Sequence, residues 1–231
     1  MRVMPANSCG WFWHSLARET GRLGHLYSPR GQRGPWPWFP YALDNGAFSC
    51  WEPKDNTFDD ARWESTERQW NHLVTWAQSA PLKPLWAIVP DVPGNAERTF
   101  DRWTRFASAL GDIPAALAVQ DGMTPADVKA LKVQPAVIAV GGSTEWKWLT
   151  VEAWAQNFPR VHLLRCNSPA RLYELEAMGV ESCDGTGWCR GNRKQTSGLE
   201  EWARSKAQPV SYPLWPHVCR APRNPLQETF A

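Results

Sequence analysis

The sequence predicts an α/β fold, a compact single (β/α)8 barrel of the TIM type. Three observations point to it. Short apolar runs alternate with amphipathic stretches, most of the runs end in polar residues or glycine, and a chain of 231 residues suits one domain. The alternation predicts a parallel sheet with helical crossovers. About eight such units close most economically into a barrel, with the active site at the carboxyl ends of the strands.

The predicted strands are short apolar runs of the kind that a parallel sheet buries on both faces. The first two are the least regular, because the connections around them are rich in glycine and proline. The strands are predicted over residues 3–6, 23–27, 41–43, 85–90, 115–119, 136–140, 161–164 and 180–183.

Amphipathic stretches between the later strands predict the crossover helices. Thr124-Pro125 and Ser168-Pro169 each place a capping residue before a proline, a pattern that begins a helix directly after a loop. The helices are predicted over residues 59–79, 95–110, 124–131, 151–158 and 169–178.

The carboxyl ends of the last six predicted strands carry the candidate site, because all of them lie on one face of a barrel. Glycines at these ends let backbone groups approach a planar ligand, and carboxylates and amides can bind its edge. The strand ends are Asp44-Asn45-Gly46, Asp91, Gln120-Asp121-Gly122, Gly141-Gly142-Ser143, Arg165-Cys166-Asn167 and Asp184-Gly185.

Asp184 is the most informative of these residues, since it stands where the last strand opens into a glycine-rich loop. A carboxylate there can act as a nucleophile or base, and it can equally cap a turn or pair with an arginine. Side-chain alternation places Asp184 on the same face as Ser182 and Cys183 on the opposite face. Cys183 is therefore predicted to be a packing residue.

Composition restricts the function classes further. The formal net charge of +2 does not indicate a general nucleic-acid-binding protein, although basic residues are concentrated in the last quarter of the chain. No signal peptide or membrane-spanning apolar run is present, and the six cysteines lack CxxC spacing. We therefore expect a cytoplasmic protein with reduced thiols and no membrane association. The single domain covers residues 1–231, with 205–231 as an extended C-terminal segment.

Five short motifs from the third strand to the eighth resemble, in order, those of the tRNA-guanine transglycosylase family. Each motif is short, but five of them in one order at successive strand ends form a specific pattern. The resemblance implies a (β/α)8 barrel that exchanges a guanine base at a nucleoside. The motifs are Leu43-Asp44-Asn45-Gly46-Ala47-Phe48, Ala87 to Asp91, Val119 to Gly122, Val140 to Ser143 and Gly179 to Gly185.

The resemblance assigns a role to each matching position. Asp184 corresponds to the covalent nucleophile and Asp44 to the acid/base group, while Asp91 and Gln120 correspond to residues that bind the base. Further substrate-binding residues are expected around them, namely Gly141, Gly142, Ser143, Asn45, Phe48 and Asn167.

The chain resembles most the compact branch of this family, the DNA-guanine transglycosylases of phages and bacteria. The implied partners are DNA and a 7-deazaguanine base such as preQ0 or a derivative, with the target base extruded from a duplex or already single-stranded. A tRNA enzyme with the same chemistry, a glycoside hydrolase barrel and a non-catalytic binding module remain alternatives. The candidates for phosphate contacts are Arg165, Lys147, Arg190, Arg193 and Lys194.

The sequence departs from the family at its zinc site. The family carries three cysteines and a histidine after the nucleophile, whereas this region offers only Cys189, Cys219 and His217. A structural zinc takes four protein ligands, so we expect neither a structural zinc nor a cofactor. The oligomeric state is left open, with a homodimer among the options.

Overall fold

A computed structural model of the protein describes residues 1–6, 11–30, 39–189 and 193–207. The elements in this part of the chain are β1 (Arg2–Pro5), α1 (Trp11–Thr20), β2 (His25–Tyr27), β3 (Tyr41–Leu43), β4 (Trp51–Glu52), β5 (Thr57–Phe58), α2 (Asp60–Ser79), β6 (Ala87–Ile88), α3 (Ala96–Phe106), β7 (Ala115–Val119), α4 (Pro125–Lys129), β8 (Val137–Val140), α5 (Thr144–Asn157), β9 (Val161–Leu163), α6 (Pro169–Ala177), β10 (Ser182–Gly185) and α7 (Arg193–Ser205).

Eight parallel strands form the central sheet, in the order β1-β10-β9-β8-β7-β6-β3-β2. The two outer strands of this order, β1 and β2, meet through isolated parallel bridges from Val3 to Leu23 and from Ala6 to Leu26. These bridges bring the sheet round into a nearly closed barrel with helices outside, so the predicted TIM-type fold is confirmed. The remaining pair, β4 and β5, forms a small antiparallel hairpin after β3.

The barrel has an inner and an outer apolar layer, as side-chain alternation requires. The inner layer combines the large Trp86 with small alanines of β7 and β8, which fill the narrow interior. The outer layer packs the other face of the strands against the helices and contains most of the buried tryptophans. Cys183 lies in this outer layer with no exposed surface, which confirms that it is a packing residue.

The predicted starts of α2, α3, α4 and α6 agree with the structure to within one residue. Asp59 and Asn95 accept backbone N–H groups at the starts of α2 and α3, and Thr124 forms a capping box with Asp127 at α4. The prediction for α5 was wrong, since the helix begins at Thr144 and not at residue 151. Ser143 caps it by accepting the N–H of Trp146.

The other differences between the predicted and the observed elements concern the lengths of two strands and two helices near the ends of the described chain. The strand predicted over residues 85–90 is only Ala87–Ile88, and the last strand continues to Gly185. Helices α1 and α7 were not predicted. Of the predicted C-terminal segment, residues 208–231 lie outside the described part. Within the described part, no helix combines the length and apolar character needed to cross a membrane.

Two histidines lie together between β2 and α1, and they make stability depend on pH. The rings of His25 and His14 are 5.7 Å apart, both are buried, and burial followed by the neighbouring His14 lowers the pKa of His25 from 6.5 to about 3. As the pH falls from 6.5 towards 3, an unfolded chain binds this proton and the folded chain does not. The stability contribution of His25 is therefore present above pH 6.5 and is lost on acidification.

We expect His25→Leu to flatten the acid dependence of stability, because it removes this group from the proton balance. The free energy of unfolding of the wild type relative to the variant should fall by about 1.4 kcal/mol for each pH unit of acidification between pH 6.5 and about 3. Thermal or urea unfolding at several pH values between 3 and 7 measures this difference. His72→Asn, at an exposed position of α2, is the control. Parallel curves for the wild type and His25→Leu would contradict the assignment.

Candidate active site

A cavity of about 460 Å³ opens at the carboxyl ends of the barrel strands. Its wall combines carboxylates, amides, glycines and aromatic rings, which suits a planar polar ligand. Most of the predicted site residues line it, namely Asp44, Asp184, Asp91, Gln120, Gly141, Gly142, Ser143, Asn45, Phe48 and Arg165.

Asp44 follows β3 and faces the cavity. Gly46, two residues later, has φ of 75°, a conformation that favours glycine and turns the chain away from the strand. Burial and then the negative charge of Asp184 raise the pKa of Asp44 to about 7, against the lowering effect of the backbone amides of Gly46 and Asn45. A carboxyl with this pKa can both give and take a proton near neutral pH.

Asp184 projects from β10, a strand that is paired on both sides, with β1 and with β9. Its carboxylate Oδ1 accepts the backbone N–H of Arg165 at 2.9 Å and lies 3.3 Å from Nε2 of His162. Its backbone carbonyl accepts the N–H of Cys166 at 2.6 Å. Only 6% of the residue is exposed, and this surface is part of the cavity wall. The carboxylate is therefore held rigidly with one side towards the cavity.

Asp91 is the centre of a hydrogen-bonded amide network. Its Oδ1 accepts from the Asn45 side chain at 2.8 Å, and its Oδ2 accepts from the Gln120 side chain at 2.7 Å. Burial raises the pKa of Asp91 to about 6, although the bond from Asn45 and the charge of Arg102 both lower it. The side-chain oxygen of Gln120 accepts the N–H of Gly94 at 3.2 Å, so its orientation is fixed as well.

The side-chain polar atoms of Asn45 are all hydrogen-bonded to the protein. Its side-chain nitrogen donates to the carbonyl of Val89 at 2.9 Å as well as to Asp91, and its oxygen accepts the N–H of Ala47 at 2.7 Å. The residue is 2% exposed. Asn45 therefore orients Asp91, although it also contributes to the cavity wall.

The turn after β8 is shaped by Asp121. Gly142 has φ of 69°, and a Cβ atom at this position would collide with the Asp121 carboxylate. That carboxylate accepts the backbone N–H of Ser143 at 2.6 Å and also its hydroxyl. The pairing fixes the glycine turn at the cavity wall and the start of α5 together.

Arg165 and two aromatic rings form the mouth of the cavity. The guanidinium of Arg165 donates to the carbonyl of Gly142 and lies 4.7 Å above the ring of Phe48. Phe48 is 49% exposed, and its ring centre is 5.5 Å from that of Trp51. The rim therefore presents one cation and two aromatic surfaces to an incoming ligand.

The prediction that Lys147 contacts phosphate was wrong. The residue is 2% exposed, and its ammonium donates to the carbonyls of Leu164 at 2.8 Å and Arg165 at 3.0 Å. Burial and then the charge of Arg165 lower the pKa of Lys147 to about 8. Lys147 therefore supports, from behind, the loop whose N–H group holds Asp184.

Asn167 is not among the residues that line this cavity, so its predicted role in substrate binding stays a prediction. Its side-chain oxygen accepts the N–H of Gly187 at 2.7 Å, and its carbonyl accepts from Gln195 at 2.9 Å, so it fastens the loop after β10 to α7. Arg193 and Lys194 are exposed in the first turn of α7, away from the cavity wall.

The remaining predictions for this region stay untested. Arg190, His217 and Cys219 lie outside the described residues, as does the side chain of Cys189. Among the residues that the structure describes, no group of three or more histidine, cysteine or acidic side chains is arranged to hold a metal ion.

Sequence reasoning missed His162, which lies directly beneath Asp184. Its Nδ1 is 2.8 Å from the hydroxyl of Ser182, and its ring packs against Trp86 with centres 4.6 Å apart. The residue is part of an apolar run in the seventh barrel strand and looks like a core position. The available signal was alternation, since His162 is in register with Ser182, which shares a face with Asp184.

The sequence matches no model of a known protein family, and a search of curated proteins gives no significant match. Functional interpretation therefore depends on the chemistry of the cavity and on the order of its motifs. The cavity joins a fixed carboxylate, a second carboxyl with a pKa of about 7 and a third that carries oriented amides. Such a set can support displacement at a sugar carbon with acid/base assistance to a bound base.

Proposed function

We propose that this protein is a guanine transglycosylase that exchanges guanine in DNA for a 7-deazaguanine base through a covalent aspartyl-glycosyl intermediate. The observation that carries the proposal is the meeting of Asp184 and Asp44 in one cavity. Burial and then the charge of Asp184 raise the pKa of Asp44 to about 7. Asp44 can therefore carry a proton near neutral pH, which suits an acid, and the hydrogen bonds that hold the Asp184 carboxylate suit a nucleophile.

The first displacement breaks the glycosidic bond. A carboxylate oxygen of Asp184 attacks C1′ of the target nucleoside, the C1′–N9 bond breaks, and its electron pair goes to the departing guanine. Asp44, protonated at the start, gives its proton to that base. The product is a covalent glycosyl ester in which Asp184 is bonded to C1′ of the sugar, as in glycosidases that retain configuration.

The second displacement reverses these roles. The incoming 7-deazaguanine attacks C1′ from the face that guanine left, the ester bond to Asp184 breaks, and the carboxylate is restored. Asp44, now ionised, accepts the proton that the new base loses. Two inversions at C1′ give net retention, and the protons and electrons of the cycle balance without a cofactor.

Base recognition is assigned to the amide network. Asp91 and Gln120 are already oriented towards each other, and Gly94 fixes the Gln120 carboxamide. A guanine edge presents a carbonyl and N–H groups side by side, so an adjacent amide and carboxylate are complementary to it. Because these side chains are already ordered in the free protein, binding of a base does not have to reduce their conformational entropy, and this favours binding.

The cavity mouth supports a nucleic acid as the larger substrate. A base inside a duplex must be extruded to reach the floor of a barrel, and exposed aromatic rings stack on bases. Phe48 supplies an exposed ring, with the half-buried Trp51 against it, and Arg165 supplies a positive charge beside Phe48. The choice of DNA comes from the resemblance to the compact DNA-guanine transglycosylases.

An exchange assay tests the proposal. DNA containing labelled guanine is incubated with the protein and unlabelled preQ0, beside tRNA labelled in the same way and a panel of oligosaccharides. We expect release of labelled guanine from DNA, with preQ0 appearing in the DNA nucleosides by mass spectrometry. Asp184→Asn is the inactive control for this assay.

Each alternative has its own outcome in the same experiment. Exchange confined to tRNA would replace the DNA assignment by the tRNA one. Release of reducing sugar without base exchange would indicate a glycoside hydrolase. Tight binding of a modified base with no release of guanine from either nucleic acid would indicate a non-catalytic module, and the proposal would fail.

A further inference from the structure

A buried serine-histidine pair stands behind the candidate nucleophile. The hydroxyl of Ser182 is 2.8 Å from Nδ1 of His162, and Nε2 of the same ring is 3.3 Å from Oδ1 of Asp184. His162 has no exposed surface, and Ser182 is 3% exposed. Neither side chain lines the cavity, so neither is placed to touch a substrate.

The direction of the two hydrogen bonds follows from the donors present. An ionised carboxylate can only accept, so Nε2 must carry the proton that points to Asp184. A neutral ring then has a bare Nδ1, which accepts the hydrogen of the Ser182 hydroxyl. The ring itself packs against Trp86, with ring centres 4.6 Å apart.

The two oxygens of the Asp184 carboxylate do not receive the same number of hydrogen bonds. Within the described part of the chain, both hydrogen bonds to the Asp184 carboxylate end on Oδ1, one from His162 and one from the backbone of Arg165. Oδ2 receives none of them. Oδ1 is therefore hydrogen-bonded to the described part of the protein, whereas Oδ2 of this cavity-lining residue is not.

We propose that His162 is a positioning residue that makes Oδ2 of Asp184 the attacking oxygen, and that Ser182 holds the His162 ring in the required orientation through its hydrogen bond with Nδ1. The inference rests on the proposed function. When Oδ2 bonds to C1′, Oδ1 becomes the ester carbonyl and keeps its two donors. When the ester breaks in the second displacement, the same donors stabilise the departing carboxylate.

Three variants test the positioning role. His162→Leu should lower kcat for base exchange about 100-fold with little change in KM for the incoming base, since a misplaced nucleophile affects the reaction and not base binding. His162→Gln should recover activity to within about 10-fold of the wild type, because its amide N–H can replace Nε2–H. Ser182→Ala should fall between them, since the ring stays but loses the hydrogen bond that orients it.

A readout that does not depend on activity separates this inference from the proposed function. Nitrogen-15 NMR of the resting protein should show His162 as the neutral Nε2–H tautomer, and Ser182→Ala should change that signal. Thermal unfolding of each variant identifies any that fails to fold, in which case the NMR comparison decides. If the wild type exchanges no guanine, the proposed function fails. The NMR spectrum still shows which nitrogen of His162 carries the hydrogen.

Three results would overturn the positioning role. The first is a neutral ring with its hydrogen on Nδ1 in the wild type, because Nε2 would then have no hydrogen to donate to Asp184. The second is a folded His162→Leu protein with the kcat of the wild type. The third is a loss of activity that His162→Gln does not recover at all, since the effect would then come from packing and not from the donated hydrogen bond.

Discussion

Replacing Asp184 with asparagine is expected to abolish base exchange, with a fall in kcat of roughly 10³-fold or more. The amide keeps the shape of the side chain and an oxygen that can accept the N–H of Arg165, so the fold should be retained. It lacks the negative charge that attacks C1′. Consequently no covalent bond to the sugar can form.

The measurement has two parts. Exchange of labelled guanine gives kcat, and a denaturing gel after incubation with DNA detects the covalent protein-DNA adduct. Asp184→Ala should behave as Asp184→Asn does in both assays. Asp101→Asn, at an exposed position on α3, makes the same chemical change outside the cavity and should leave both results unchanged. Exchange by Asp184→Asn at the wild-type rate would remove Asp184 from the mechanism.

Replacing Asp44 with asparagine should lower the activity of the protein and, at alkaline pH, raise its stability. Exchange should fall about 10²- to 10⁴-fold, the usual range for a lost general acid or base. In the wild type, cleavage of the guanine bond should decline as the pH rises through about 7, because Asp44 then loses the proton that it gives to the base. This limb of the pH profile should be absent from the residual activity of the variant.

The same substitution should stabilise the folded protein at alkaline pH. The folded pKa of Asp44, about 7, lies above its ordinary value of 3.8. The contribution of this carboxyl to stability is therefore full below pH 3.8 and is lost as the pH rises through 7. Above that pH the wild type holds Asp44 as a buried, ionised carboxylate beside Asp184. A neutral asparagine at position 44 removes both the burial of this charge and its repulsion by Asp184.

The expected gain at pH 8 is about 2 kcal/mol, or roughly 4–8 °C in Tm, which allows for solvent that reaches Asp44 through the cavity. At pH 4 the two proteins should unfold at nearly the same temperature. Thermal unfolding at both pH values measures the difference, with Asp101→Asn as the control. A variant less stable than the wild type at pH 8 would show that Asp44 is not under this electrostatic strain.

The barrel could be predicted because its signals are local. Apolar runs, capping residues and strand-end aspartates each act within a few positions, and Thr124 and Asp59 begin helices as expected. Helix α7 was missed because Gly198 interrupts its helical pattern. A Cβ atom at Gly198 would collide with Pro169 of α6, so this glycine is required by a contact that only the folded chain reveals.

The site could be predicted in part, for a related reason. Asp44, Asp91 and Asp184 could be recognised because each ends a strand, and a barrel brings strand ends together. The roles of Lys147 and His162 could not, because both are buried behind the cavity. Their partners are the carbonyls of a neighbouring loop and a hydroxyl on a neighbouring strand, and no spacing along the chain indicates such contacts.

The contact between β1 and β2 lies on the path around the barrel that connects Asp184 with Asp44. The order of strands along this path is β10, β1, β2 and β3, with Asp184 on the first and Asp44 at the end of the last. The first and last pairs are continuous ladders, and the middle contact consists of isolated bridges. The spacing between the two carboxyl groups is therefore set, on this side of the barrel, by the contact with the fewest strand hydrogen bonds.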